Sequence, residues 1–212
     1  MTTTALLLVA FMLVAAVVDW FAVAARNRPV EYVAKPATMA LLIGVALALE
    51  PASTGARAWF VAALTLGLAG DALLMLPDQR RFFIGGLAAF LVGHLAFVAG
   101  LFTAGVEGPG LLVGLAVVVV AVATVGRQVY RSVARERPEL LGPVAAYIAV
   151  ISLMVLAAFG TRSGLAIVGA LSFYASDALV AFNRFGASRA WMPVTIMVTY
   201  HLGQLGLVLS LV

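Results

Sequence analysis

Of 212 residues, 64% are hydrophobic and only 10% charged, the mean hydropathy is +1.13, and the net charge is +4. Soluble domains carry roughly 25% charged residues, so the composition excludes a water-soluble globule and predicts a polytopic membrane protein. The positive charge is spread through short loops between apolar segments and reads as a topology signal, not a nucleic-acid surface. With no cysteine, disulfides and thiol chemistry are excluded as well.

A helix needs about 20 apolar residues to cross the hydrocarbon layer. Segments of that kind lie near 3–25, 36–50, 58–76, 82–105, 110–126, 141–159, 163–183 and 190–211. The first lacks a basic leader and a cleavage site, and is read as a retained helix, not a signal peptide. The loops after segments one, three, five and seven hold Arg26, Arg28, Lys35, Arg80, Arg81, Arg127, Arg131, Arg135, Arg137, Arg184 and Arg189. Those after segments two, four and six hold only Arg57 and Arg162. Basic loops stay in the cytoplasm, which predicts an all-α bundle of about eight transmembrane helices with both termini outside. The expected location is a bacterial inner membrane.

Within the third segment "GLAGDALLML" (67–76) carries Asp71, and within the seventh "SFYASDALVAF" (172–182) carries Asp177. Each Asp is followed by Ala-Leu, a basic turn, and a helix with one His followed by Leu. These are His94 and His201, the only two histidines in the chain. The match predicts two four-helix halves, 1–105 and 110–212, in parallel repeat within a single transmembrane domain. It puts both Asp residues in the cytoplasmic half of the bundle, with the His residues deeper.

An ionisable group in lipid is costly and faces either a partner or a wet cavity. The plain alternative for each Asp is a structural hydrogen bond to a neighbouring helix. Gly67, Gly70, Ser172 and Ser176 suit close helix approach beside the Asp residues. Lys35, before Pro36 at the mouth of the second helix, suits an interface anchor, an Asp partner or a lipid-phosphate ligand. Asp19, near Arg26, reads as structural. Two His and a distant Asp are a poor zinc set, so neither a metal nor a cofactor is expected. The chain has no P-loop, no GxSxG elbow and no HExxH. Paired membrane carboxylates also suit a proton-coupled transporter or a small-ligand binder, and these stay open as alternatives to an enzyme.

Five stretches, in order, resemble the YhhN-like family of integral membrane proteins, whose animal members are lysoplasmalogenases. They are "EYVAKPATMALL" (31–42), "GDALLML" (70–76), "FFIGGLAAFLVGHLAFVAGLF" (82–102), "SFYASDALVAFNRF" (172–185) and "YHLGQLGLVLSL" (200–211). Phe97 departs from the pattern, because many relatives carry Tyr shortly after that His. The resemblance implies hydrolysis of the vinyl ether bond of a lysoplasmalogen, giving a fatty aldehyde and a glycerophospho head group. It implies Asp71 and Asp177 as the catalytic pair, and Lys35, His94, Ser176, Asn183, Tyr200, His201 and Gln204 as residues around the substrate. The chemistry agrees, since a vinyl ether is protonated at carbon to an oxocarbenium ion that water captures. One carboxylic acid and one carboxylate can serve it as they serve glycosidic bonds. Asp177 is expected as the acid and Asp71 as its partner. The lysophospholipid would enter from the cytoplasmic leaflet of the bilayer, its phosphate meeting Lys35 and one of Arg80, Arg81 or Arg184.

Overall fold

The computed structural model describes residues 1–77, 80–186 and 188–212. Its helices are α1 (Thr3–Ala24), α2 (Arg28–Ala48), α3 (Thr54–Met75), α4 (Arg80–Ala104), α5 (Gly108–Ala121), α6 (Arg127–Glu136), α7 (Leu141–Gly160), α8 (Gly164–Phe185) and α9 (Met192–Leu209). A π-helical stretch, Val122–Gly126, joins α5 to α6 without a break, and a short 3₁₀ turn, Pro138–Leu140, precedes α7. Taking Gly108–Glu136 as one element, eight helices among the described residues are long and apolar enough to cross a membrane. The chain is an integral membrane protein.

Two boundaries differ from those expected. The second helix begins at Arg28, eight residues before the expected 36, because the Asn27 side chain accepts from Val30 N and Pro29 takes a first-turn position where its missing N–H costs nothing. Pro36 is therefore carried inside a helix, and Lys35 stands two turns from its start instead of in a loop. The fifth helix continues to Glu136, so Arg127, Arg131 and Arg135 belong to helix, not loop. In α6, Val129 and Val133 lie one turn apart and are buried, while the Arg side chains are exposed. The basic end of this span is an amphipathic extension.

The helices pack mainly as sequential hairpins, α1 on α2, α3 on α4, and α8 on α9. Gly169 and Gly203 allow the last of these to close backbone to backbone: a Cβ at Gly169 would stand 2.7 Å from the Gly203 carbonyl oxygen. At one end of the bundle, Thr2 Oγ1 donates to the Ala48 carbonyl at 3.0 Å and Ala52 N to the Leu211 carbonyl at 2.9 Å. Both chain ends thus meet the α2–α3 connection, at the face opposite the Arg-rich connections.

Buried apolar side chains form two clusters. The larger joins Met12, Met39, Phe60, Phe97, Met154 and Phe173 with their neighbours. The smaller joins Val129, Val133, Leu140, Val144 and Phe185, from α6, α7 and α8. The polar side chains of interest lie at the seam between them.

Candidate active site

Between the two clusters runs a cleft with about 1000 Å³ of empty space, its open mouth included. Its walls are largely apolar, among them Leu87, Val125, Val129, Val144, Ile148 and Ile151. Lys35, Asp71, Tyr147, Ser176, Asp177 and Tyr200 supply its polar groups. The π-helical stretch helps shape it, since Val125 and Gly126 both line the cleft. Extra-residue turns of this kind recur at functional sites.

Asp71 is buried four residues before the end of α3, about 6 Å along the helix. Lys35 Nζ lies 2.9 Å from its Oδ1, and the Tyr200 hydroxyl donates to Oδ2 at 2.6 Å. The Tyr32 hydroxyl donates to the Met75 carbonyl at 3.0 Å, which ties α2 to α3 one turn further on. A buried ammonium at this distance matches an ionised carboxylate, so Asp71 is the anion of an ion pair.

Asp177, on α8, keeps different company. The Tyr147 hydroxyl donates to its Oδ2 at 2.7 Å, and His94 Nε2 stands 3.5 Å from the same oxygen. His94 Nδ1 lies 2.7 Å from the Phe90 carbonyl, which can only accept, and this assigns the Nδ1 hydrogen. In a neutral imidazole, Nε2 then presents a lone pair toward Asp177. At 3.5 Å the two groups are neighbours, and Nε2 has no hydrogen-bond partner among the described residues. Ring contacts hold His94 in place, with Phe173 at 4.6 Å and Tyr147 at 5.3 Å between centroids.

Five of the residues singled out in the sequence are thus drawn together: Lys35, Asp71, His94, Asp177 and Tyr200. Ser176 lines the cleft, but its hydroxyl donates to the Ile196 carbonyl at 3.0 Å and so joins α8 to α9. Asn183 does not line the cleft; its side-chain oxygen accepts from Ser188 at 2.6 Å. His201 and Gln204 lie behind Tyr200, outside the cleft walls. Phe97 is buried against Phe60 and Phe173, with ring centroids 5.1 and 6.3 Å away. Tyr147 escaped the sequence reading. The available signal was a lone tyrosine inside the apolar sixth segment, whose hydroxyl needs a partner once buried.

At the mouth, a second recess is lined by Arg28, Arg184, Phe82, Phe83 and the end of α3. Leu74, Phe83 and Arg184 line both recess and cleft, so the two are continuous. Among the described residues no three His, Asp or Glu side chains gather as a metal site requires.

Fold and site together define a polytopic helical membrane protein with a carboxylate pair facing one apolar cleft. Residues 30–211 match the YhhN family, and the chain belongs to it. It is 34% identical over 172 residues to proteins named lysoplasmalogenase from Mycobacterium bovis and Mycobacterium tuberculosis, a match covering 80% of this chain and 66% of each relative. The chain thus spans just under two thirds of the length of these mycobacterial relatives. It is 29% identical over 192 residues to human lysoplasmalogenase TMEM86B, covering 91% of this chain and 76% of that one. No solved structure matches the chain.

Proposed function

We propose that this protein hydrolyses the vinyl ether bond of a lysoplasmalogen, the activity for which its relatives are named. The observation that carries the proposal is the unlike company of two carboxylates facing one apolar cleft. Asp71 is held as an anion by Lys35, whereas Asp177 takes a hydrogen bond from Tyr147, stands 3.5 Å from the His94 imidazole, and in this reading keeps its proton. An acid and a base are thereby kept side by side.

In this reading Asp177 delivers its proton to the vinyl carbon distal to the ether oxygen, and the carbon next to oxygen becomes an oxocarbenium ion. Asp71 stabilises that cation. Water then adds to the carbon and passes its proton to Asp71, giving a hemiacetal. On collapse, Asp71 returns that proton to the departing glycerol oxygen, and the hemiacetal hydroxyl restores the proton of Asp177. The products are aldehyde and glycerophospho head group, and both Asp residues end as they began.

The arrangement suits a single-chain lipid. Arg184 follows Asp177 by seven residues, about 10 Å along α8. A phosphate held between Arg28 and Arg184 at the mouth leaves the ether near Asp177 and the chain against the valines and isoleucines beyond. Lys35 serves Asp71 instead of the phosphate. The basic face marks the cytoplasmic side, so the substrate comes from that leaflet of a bacterial cell membrane and both termini lie outside.

The test is aldehyde release by purified protein supplied with lysoplasmalogen or with acyl lysophospholipid, using wild type, Asp71→Asn and Asp177→Asn. Aldehyde from lysoplasmalogen alone, lost in both variants, is expected. Wild-type protein that binds the lipid and releases no aldehyde would sink the reading and favour a proton-coupled transporter or ligand binder.

A further inference from the structure

Lys35, Asp71 and Tyr200 form a wall of the cleft, and that wall has a second side. Behind it lie Asp19 on α1 and His201 and Gln204 on α9, each fully buried and none of them lining the cleft. Both carboxylate oxygens of Asp19, His201 Nε2 and both amide atoms of Gln204 lack a partner in full hydrogen-bond geometry among the described residues, with the Tyr200 hydroxyl standing near the Gln204 amide. Unsatisfied buried polar atoms cost about 1–3 kcal/mol each, and native proteins leave few of them. Five in one neighbourhood need an explanation.

Each of these groups neighbours Lys35 or Tyr200. Asp19 and His201 are both within electrostatic range of Lys35. Trp20, next to Asp19, donates from Nε1 to His201 Nδ1 at 3.1 Å and so binds α1 to α9. That bond makes Nδ1 the acceptor, which leaves the imidazole hydrogen on Nε2. Gln204 follows Tyr200 by one turn. A Cβ built on Gly67 would lie 3.4 Å from Gln204 Nε2 and 3.7 Å from the Tyr200 hydroxyl. With the Met39 methyl at 3.6 Å as the third neighbour, Gly67 leaves room for about one methyl-sized group beside the amide and the hydroxyl.

The unsatisfied set contains two acceptors on Asp19, a donor on His201, and one group of each kind on Gln204. Its ligand must donate and accept in a small volume. A cation would meet the His201 N–H, the Gln204 amide hydrogens and the Lys35 ammonium. An anion would meet the Asp19 carboxylate. Water is neutral and fits both kinds of partner.

We propose that Asp19, His201 and Gln204 hold ordered water behind the Lys35–Asp71–Tyr200 wall, and that this store supplies the water consumed in hydrolysis. The second half of this statement rests on the vinyl ether reading. A lipid chain filling an apolar cleft excludes water from the front, whereas the oxocarbenium carbon needs one water beside Asp71. From the rear store, a molecule passing the Gly67 gap between Gln204 and Tyr200 reaches Asp71 without displacing the lipid. Asp19, His201 and Gln204 are on this account positioning residues for the nucleophile.

Two measurements test it. A high-resolution experimental map of wild-type protein in lipid nanodiscs should show water bonded to Asp19, His201 Nε2 and the Gln204 amide. Side chains repacked onto one another with no water between them would overturn the store, whatever the activity. Kinetics on lysoplasmalogen then compare wild type with Gln204→Leu and Gly67→Ala. The second variant adds one methyl at ordinary contact distances and alters no polar group, so it folds even if the first does not. A fall in kcat of about 100-fold with KM nearly unchanged is expected, as for a misplaced reactant. Unchanged kcat in Gly67→Ala, or a raised KM with kcat intact, would overturn the supply role, the latter by marking contact with the lipid. A wild type that yields no aldehyde would remove the hydrolytic reading and the supply role with it, while the map still decides whether the water site exists.

Discussion

Asp71 and Asp177 sit in nearly the same local sequence, Gly-Asp-Ala-Leu and Ser-Asp-Ala-Leu, and each receives a tyrosine hydroxyl on Oδ2. Their second partners differ. Asp71 has an ammonium at 2.9 Å, and Asp177 has an imidazole at 3.5 Å. The partners also cross the chain: Tyr200 of α9 serves Asp71 on α3, and His94 of α4 serves Asp177 on α8. In the proposed mechanism an identical side chain carries charge in one place and a proton in the other. The lesson is that the surroundings of each carboxylate are set by neighbours on other helices, not by the motif.

The largest effect is expected from removing the cation. Lys35→Met leaves Asp71 a buried, uncompensated carboxylate, which should destabilise the protein by roughly 3–5 kcal/mol. Thermal unfolding in detergent would register this, and adding Asp71→Asn should recover much of the loss. A double variant no more stable than Lys35→Met alone would mean that the pair is not an ionic one.

Asp177→Asn should leave stability nearly intact, since no buried charge is orphaned, but lower kcat by about 1000-fold, within the range of a positioned general acid. Stopped-time aldehyde assays would check both halves of that statement. An Asp177→Asn protein as unstable as Lys35→Met would show that both Asp residues are charged, and the contrast would collapse.

The tyrosines sharpen the comparison further. Hydrogen bonds to charged groups contribute about 1.5–3 kcal/mol and neutral ones about 0.5–1.5, so Tyr200→Phe should cost more stability than Tyr147→Phe. The reverse order, measured by chemical or thermal unfolding, would exchange the roles of the two carboxylates. The smallest effect is expected at the mouth. Arg28→Ala should raise KM for the lysolipid about five-fold with kcat unchanged, the loss of one basic contact worth about 1 kcal/mol at a lipid interface.

Much of this was legible in the sequence. Eight spans followed from apolar length, the two Asp residues from their cost in lipid, and the placement of Lys35, His94 and Tyr200 near them from the family resemblance. Where the reading erred locally, the cause is identifiable. Asn27 and Pro29 start α2 early and carry Lys35 into helix, and the valines of α6 give the Arg-rich stretch a buried face. Tyr147 was invisible as a partner because nothing within α7 announces a carboxylate on α8. His201 and Gln204 sit beside Tyr200 in the sequence, yet they turn away from the cleft into the space between α1, α3 and α9.

The amino-acid sequence alone determined that the chain lies in a membrane, how many times it crosses and where its charges must be matched. Each span satisfies its backbone within itself, so length and hydropathy decide it segment by segment. Only the tertiary structure decided which partner matches which charge. Partner choice depends on the rotation and depth at which separate helices pack, a property of the assembled bundle that no single span encodes.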